Sequence, residues 1–566
     1  MTSGWSCWVL LLLLPALAHA GGPGPVLVNR PFVTVWNIPT ERCAKKYNVT
    51  LNLEIFDVLA NDQQSFIGQD ITLFYSKELG LLPYYTSEGV PVNGGLPQNA
   101  SLQAHLHQAT RDIEVTLPSP AYGGLAVIDW EKWRPLWIRN WASMDIYQQK
   151  SEELVRQQHP EWPPKLVKET AKQQFEQSAR NFMEQTLRLG ETLRPNGYWG
   201  FYGFPDCYNN NFDSLPYTGT CPAVERQRNK ELWWLWESSR ALYPSIYLPP
   251  SFNGTNKALA YVRHRVAEAF AVQRGVLDGG IPVLPYSQIT FDHTVDFLSQ
   301  DLMNTIGESA AQGAAGIILW GSLNDSMSKV SVAGGTMCLR LKDYVDGPLG
   351  HYIVNVTASA DLCSQSLCSG RGRCVRRENK QGFLHLDALR FTIDLQAGKP
   401  WLVAQSVESG DDVSRLAEEF SCQCYDKCDT PLPPRPPRDT GVGKVTPSCA
   451  PAPSVWGWEP KHEAANKTGR HPQPCRCLLL WHLLGQEGPP VTPPVPHEAA
   501  KGYASGQGVS ECNTSKKPEK KRNIYGKSCR TGQMGKVYYS NSLLLQQFIT
   551  NSSKLCFLLN LLSSIS

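Results

Sequence analysis

Between residues 30 and 360, short and almost unbroken apolar runs alternate with longer stretches whose apolar residues recur every third or fourth position. The runs are Phe32–Trp36, Ile71–Tyr75, Leu125–Asp129, Tyr198–Gly203, Ser245–Leu248, Pro282–Tyr286 and Gly316–Trp320. A run apolar on both faces has no side to give to water, which is the condition of a parallel strand covered by helices. The intervening stretches predict those helices. Val167, Ala171, Phe175, Ala179, Phe182 and Thr186 mark one buried stripe. A second helix runs from about Asn229 to Leu242, with Trp233 and Trp236 on neighbouring faces, and a third covers Lys257–Gln273. Alternating strand and helix predicts an α/β protein with a parallel sheet. Seven strand candidates, with no glycine-rich nucleotide loop after the first, predict a distorted (β/α) TIM-like barrel of about seven strands over residues 21–360. In such a barrel the chemistry sits at the C-terminal ends of the strands.

Beyond residue 360 the pattern changes. Cys363, Cys368, Cys374, Cys422 and Cys424 cluster with Gly370 and Gly372, and Cys368-Ser-Gly-Arg-Gly-Arg-Cys374 predicts a tight loop stapled by disulfides. This defines a small EGF-like module over 361–428. Zinc ligation is the competing reading, disfavoured by the lack of paired CxxC units. From 429 to 566 no period is sustained. Sixteen prolines fall between 430 and 500, followed by the basic run Lys516–Arg522. Such a tail has no apolar pattern from which to build a core and is expected to be disordered.

Residues 1–20 predict a signal peptide, with an apolar run at Val9–Leu14 and a small-x-small cleavage site at Ala18-His-Ala20. Export makes the 17 cysteines readable as a disulfide framework. It also gives meaning to the Asn-x-Ser/Thr sequons at Asn48, Asn99, Asn253, Asn324 and Asn355, which predict glycosylation. The expected location is secreted, lysosomal or both. No later segment offers 18 uninterrupted apolar residues, so no membrane span is expected. A formal net charge of +3 provides no global field for nucleic acid.

The sharpest chemical feature is Gly124-Leu-Ala-Val-Ile-Asp129-Trp-Glu131-Lys-Trp133-Arg134. Side chains at i and i+2 of a strand share a face. Asp129 and Glu131 are thus a carboxyl pair on the catalytic rim, and two neighbouring carboxylates do not both ionise easily. One keeps its proton, as a general acid must. Two solvated acids at a strand end are the plainer alternative. The surrounding Trp130, Trp133, Trp137 and Trp141 offer flat apolar faces suited to sugar rings. Tyr75, Tyr202, Tyr247, Tyr286 and Trp320 close other strands. Any one of these aromatics is equally compatible with a place in the core. HExxH, nucleophile-elbow and phosphate-loop motifs are missing, and no metal or cofactor is expected.

Several longer segments carry a specific resemblance. They are Asn29-Arg-Pro-Phe-Val-Thr-Val-Trp-Asn37, Gly95-Leu-Pro-Gln-Asn-Ala-Ser101, Ala126-Val-Ile-Asp-Trp-Glu131, Trp199-Gly-Phe-Tyr-Gly-Phe-Pro-Asp-Cys-Tyr-Asn209, Ala241-Leu-Tyr-Pro-Ser-Ile-Tyr247 and Gly307-Glu-Ser-Ala-Ala-Gln-Gly-Ala-Ala-Gly316. All resemble the animal hyaluronidases, nearest the lysosomal and plasma type, from about residue 25 to Cys424. The resemblance implies hydrolysis of hyaluronan, with chondroitin a slower substrate. It makes Glu131 the acid and base, while the substrate's own N-acetyl carbonyl serves as nucleophile; Asp129 orients that group. Tyr202 and Tyr247 stabilise it, Tyr75, Trp320 and Tyr286 shape the cleft, and Arg134 and Arg265 are candidates to meet glucuronate carboxylates, with a plain surface-helix role as the alternative for Arg265. It further implies the disulfides Cys43–Cys338, Cys207–Cys221, Cys363–Cys374 and Cys368–Cys422, and a monomer. After Cys424 the chain departs from the family pattern, and pairing with Cys428 stays open. The competing functions are a non-catalytic hyaluronan-binding or adhesion protein of the same fold, or an isoform whose tail impairs secretion.

Overall fold

The structure is a computed structural model that describes residues 24–425, apart from 28, 214–215, 277–279, 322–333, 396–400 and 407–411. The leader at 1–20, the sequon at Asn324, Cys428 and the 429–566 tail lie outside the described residues.

Among the described residues, nine strands precede residue 321: β1 Val33–Asn37, β2 Val58–Ala60, β3 Ile71–Tyr75, β4 Tyr84–Tyr85, β5 Pro91–Val92, β6 Leu125–Asp129, β7 Tyr198–Phe201, β8 Tyr286–Gln288 and β9 Gly316–Trp320. Strands β4 and β5 form a small antiparallel hairpin beside the barrel walls. The walls are two parallel sheets, ordered β2-β1-β9-β8 and β3-β6-β7. The segment 241–247 joins them through isolated parallel bridges, Tyr202 to Tyr243, Leu242 to Val283 and Ser245 to Tyr286. The sequence predicts full strands at 245–248 and 282–286. Pro244, Pro282 and Pro285 explain the difference, because none has an N–H to donate to a ladder. What remains are single bonds such as Leu242 N to Pro282 O and Tyr286 N to Pro244 O, at 2.9 and 2.8 Å. On the opposite side Asn61, just past β2, stitches the start of β3. Its Nδ2 donates to Ile71 O at 2.6 Å, and its Oδ1 accepts from the Asp70 and Ile71 amides.

Every wall contributes to one interior. Val33, Val35, Ile71, Leu73, Leu125, Val127, Ala241, Tyr243, Leu284, Tyr286 and Ile318 pack as a single buried cluster. These are alternate residues along their strands, as the two-residue period of a pleat demands. A TIM-like barrel follows. The intervening residues face outward against the helical shell. The helix Pro164–Leu193 starts with proline at its first position, where the missing N–H costs nothing. It buries the expected stripe, including Val167, Ala171, Phe175 and Ala179. At Gly190 a Cβ would meet the Trp199 indole at 2.6 Å, so only glycine lets this helix lie on β7. The helix expected at 229–242 is instead two pieces, Ala223–Glu231 and Trp233–Glu237, because the chain must already rejoin the barrel wall at 241. Trp236 is buried there, whereas Trp233 is half exposed.

After the barrel, helix Gly350–Cys368 carries Cys363 and Cys368, bonded to Cys374 and Cys422. Strands β10 Gly372–Arg376 and β13 Phe420–Cys424 pair antiparallel, as do β11 Phe391–Leu395 and β12 Leu402–Ser406. The module shares its core with the barrel shell: Cys374, Leu384, Leu416 and Phe420 belong to the same cluster as Ile353 and Val356. Residues 360 and 361 lie within one helix. Cys43–Cys338 and Cys207–Cys221 tie the barrel's outer segments. Among the described residues, no helix is long and apolar enough to cross a membrane.

Candidate active site

Tyr75, Asp129 and Trp320 are the last residues of β3, β6 and β9, and Tyr202 directly follows β7. Each continues the inward-pointing alternation of its strand, so the interior that is apolar in its lower layers becomes polar and aromatic at the rim. Tyr75 is level with Asp129 across the β3–β6 ladder, and Trp320 is level with both Asn37 and Gln288. Tyr247 stacks on Trp320 with ring centroids 5.7 Å apart. Tyr202 lies 6.0 Å from Tyr247, and its hydroxyl is 3.5 Å from Ser245 Oγ. Tyr75, Asp129, Tyr202, Tyr247 and Trp320 are all partly open to solvent.

Between the two carboxyls sits Trp130. It points outward and is held by His105 and Phe201, with ring centroids 5.4 Å away in both cases. This anchor fixes the end of β6 so that Asp129 and Glu131 both face the barrel mouth. Their environments then diverge. Asp129 lies on the cleft floor, with a buried Oδ1 that has no hydrogen-bond partner. Burial first, and the charge of Glu131 second, push its carboxyl well above the usual carboxylate range, while Arg134 pulls it down. Glu131 stands in the open mouth with its side chain 60 % exposed, 3.5 Å from Arg134 Nη2. Burial, and then the charge of Glu131, likewise hold the Tyr202 hydroxyl above the ordinary tyrosine value. Burial followed by Tyr202 does the same for Tyr247. Both remain neutral donors over any working pH.

Several expectations need correcting. Trp130, Trp133 and Trp137 do not face the cleft; each is buried in the shell around helix Pro164–Leu193. Trp133 Nε1 donates to Pro83 O at 2.9 Å, so these rings brace the loop after β6. Tyr286 is only 1 % exposed and lies one layer below the rim, with its hydroxyl 3.4 Å from Asn37 Oδ1. The strand runs two residues further than its apolar run suggests, which gives the rim position to Gln288. Arg265 is not available to a carboxylate ligand either. Its Nε donates to Asn209 Oδ1 at 2.9 Å, Nη1 to Ser245 O at 2.9 Å and Nη2 to Asn210 Oδ1 at 3.1 Å, and Asp206 lies at 3.3 Å. It clamps the 206–210 loop to the wall. Arg134 pairs with Glu131; burial works against its charge, but Glu131, Tyr208 and Asp206 more than offset this.

Of the predicted glycosylation sites, Asn48, Asn99 and Asn253 are exposed. Asn355 is half-buried, and its Oδ1 accepts from Leu386 N at 2.9 Å. Among the described residues there is no group of three or more His, Cys, Asp or Glu side chains placed to hold a metal.

At this rim an exposed carboxyl stands beside one with a buried oxygen, among tyrosine hydroxyls, an arrangement suited to protonating a glycosidic oxygen. Residues 22–432 match the hyaluronidase family model, and the chain belongs to that family. It is 51 % identical to hyaluronidase-1 of Homo sapiens, over 74 % of this chain and 95 % of that protein. Hyaluronidase-4 of Homo sapiens is 44 % identical, over 74 % of this chain and 87 % of its own. The crystal structure of bee venom hyaluronidase in complex with a hyaluronic acid tetramer superposes with a TM-score of 0.51 at 32 % identity, covering 57 % of this chain and 98 % of that one.

Proposed function

We propose that this hydrolase cuts the β-1,4 linkages of hyaluronan, and chondroitin more slowly, by a retaining mechanism in which the substrate supplies the nucleophile. The observation that carries the reading is the unequal pair, with Glu131 open to solvent and Asp129 at its side with one carboxyl oxygen buried. Burial lets Asp129 keep a proton to higher pH than an isolated acid would, and Glu131 beside it is placed to receive that proton. Glu131 gives that proton to the glycosidic oxygen as the bond to the anomeric carbon breaks. The neighbouring acetamido carbonyl oxygen bonds to that carbon from the opposite face, forming a cationic five-membered ring. The negative charge left on the pair, and the hydroxyls of Tyr202 and Tyr247, stabilise it. Glu131 then takes a proton from water, which opens the ring with net retention. Asp129 and Glu131 occupy the same wall, so neither lies across the anomeric carbon from the other; a separation rule for two opposed carboxylates does not apply.

Tyr75 and Trp320 frame the sugar, and Gln288 adds an amide at the same level. The stapled region 361–428 is read as an EGF-like module, supported by its two crossed bridges and the β10–β13 ladder. Secretion or lysosomal delivery, glycosylation at the exposed sequons and a monomeric state complete the reading. Glu131→Gln tests it. The amide keeps the shape but holds no transferable proton, so turnover of hyaluronan falls by about 10²–10⁴-fold while binding persists. Retention of more than about a tenth of the wild-type rate would remove Glu131 from the acid role.

A further inference from the structure

Away from the barrel mouth, a groove of about 730 Å³ opens beside the helices Asp145–Gln158 and Pro164–Leu193 and residues 231–234. Its chemistry is distinctive. Gln158, Gln173, Gln174 and Gln177 present primary amides to it, and Trp233 contributes an indole that is 51 % exposed. The guanidinium of Arg180 lies 5.1 and 5.4 Å from the rings of Trp233 and Trp234. An open aromatic surface among amides suits a neutral sugar, with its C–H face on the ring and its hydroxyl and acetamido groups on the amides. Charge argues against an anionic polysaccharide. Arg180 already gives its Nε to Glu184 at 2.9 Å, while Glu176 and Glu231 line the groove.

A neutral sugar has an attachment point at the groove's edge. Gln98 lines it too, and its Oε1 is buried without a hydrogen-bond partner while its Nε2 donates to Ser151 Oγ at 2.8 Å. The next residue is Asn99, exposed, at the head of the sequon Asn99-Ala-Ser101. Its Nδ2 donates to Gly94 O at 3.1 Å, which uses one of the two amide hydrogens and leaves the other position for substitution.

We propose that this groove is a cradle for the chain's own N-linked glycan at Asn99. The inference rests on the reading of the chain as an exported glycoprotein. The modification uses a lipid-linked diphospho-oligosaccharide. Asn99 Nδ2 bonds to the anomeric carbon, the carbon–oxygen bond to phosphate breaks, and the amide proton leaves with the lipid diphosphate. The retained N–H keeps its bond to Gly94 O, and the first N-acetylglucosamine starts one residue from Gln98 in the groove lining.

The test uses the full chain produced in glycosylating cells. Site occupancy is read by peptide mass spectrometry, and release by a peptide N-glycosidase is followed on the native protein at each sequon. Asn99 should be loaded. Its release should quicken about five- to tenfold in Trp233→Ala and in Gln173→Ala, as expected for loss of a contact near 1 kcal/mol. Release at Asn48 and Asn253 should not change. Trp233 is half exposed and Gln173 exposed, so neither substitution opens the core. A bare Asn99 beside loaded sequons elsewhere would overturn the assignment of this site. Bare asparagines throughout would overturn the export reading beneath it. A loaded Asn99 released at the wild-type rate in both variants would leave export standing and overturn the cradle.

Discussion

Asp129→Asn separates the two consequences of burying a carboxyl at the cleft floor. Its Oδ1 has lost water without gaining a donor, and Glu131 adds a second negative charge nearby. Both raise the proton affinity of the folded state above that of the unfolded chain. Below about pH 4 the aspartate is protonated in both states and costs little. As pH rises through the window between the ordinary and the raised value, the unfolded chain releases its proton first. The folded state then binds more protons than the unfolded, so stability falls with pH and is lowest above the raised value. Each tenfold change in proton affinity is worth about 1.4 kcal/mol. Desolvation together with a like charge makes a penalty of about 2–4 kcal/mol reasonable near neutrality. Asparagine has the same shape and no charge to bury. The variant should therefore melt together with the wild type near pH 4 and above it near pH 7.5. For roughly 400 ordered residues that energy corresponds to about 2–5 °C in Tm. Scans at pH 4, 5.5 and 7.5, each at one fixed heating rate, provide the measurement. Catalysis should fall at the same time, because asparagine has no proton to pass to Glu131. A variant less stable than wild type at neutral pH, or a Tm difference independent of pH, would refute the argument that Asp129 carries an uncompensated charge.

Hyaluronan stripped of its N-acetyl groups should bind but resist cleavage, followed by reducing-end release; isolation of a glycosyl ester on any Asp or Glu would instead show an enzyme nucleophile. Arg265→Leu should cost about 3–5 kcal/mol, since four acceptors lose their shared donor, with a matching drop in Tm. It should leave the preference for native over carboxyl-reduced hyaluronan unchanged, whereas a lost preference would place Arg265 on the glucuronate after all. A chain ending near Asp429 keeps every rim residue and should match the full chain in kcat and KM; a secreted, folded but inactive product would assign the 429–566 segment a role in turnover.

The parallel strands were legible because a strand buried on both faces leaves an apolar run with no competing period, as at Leu125–Asp129 and Gly316–Trp320. Strand β2 was missed because three residues, Val58–Ala60, are too few to show any period. The end of β8 was misplaced because Pro282 and Pro285 obscured the ladder, so Tyr286 was read as the rim residue in place of Gln288. Arg265 carries a signal in its helical neighbours. Tyr261, Val262, Val266 and Ala269 lie at helical spacing around it and are all buried, so an arginine on that face must be clamped rather than free. The indoles are the harder case. Trp130, Trp133 and Trp137 resemble a sugar platform in composition, and composition alone does not distinguish a ring in the shell from a ring in the cleft.

Parity resolves the ambiguity at Trp130. In a strand that presents Asp129 inward, the next residue must point outward, and a large ring there finds His105 and Phe201 in the shell. The residue after it returns to the mouth as Glu131. The Asp-Trp-Glu order therefore does more than list two acids. The central ring locks the strand end, and this leaves one carboxyl on the floor with a buried oxygen while the other stays exposed at the mouth. Shortening Trp130 to alanine would leave both acids in the sequence and remove the anchor that keeps their environments unequal, so under the proposed mechanism Trp130→Ala should lose hyaluronan turnover although Asp129 and Glu131 are both intact.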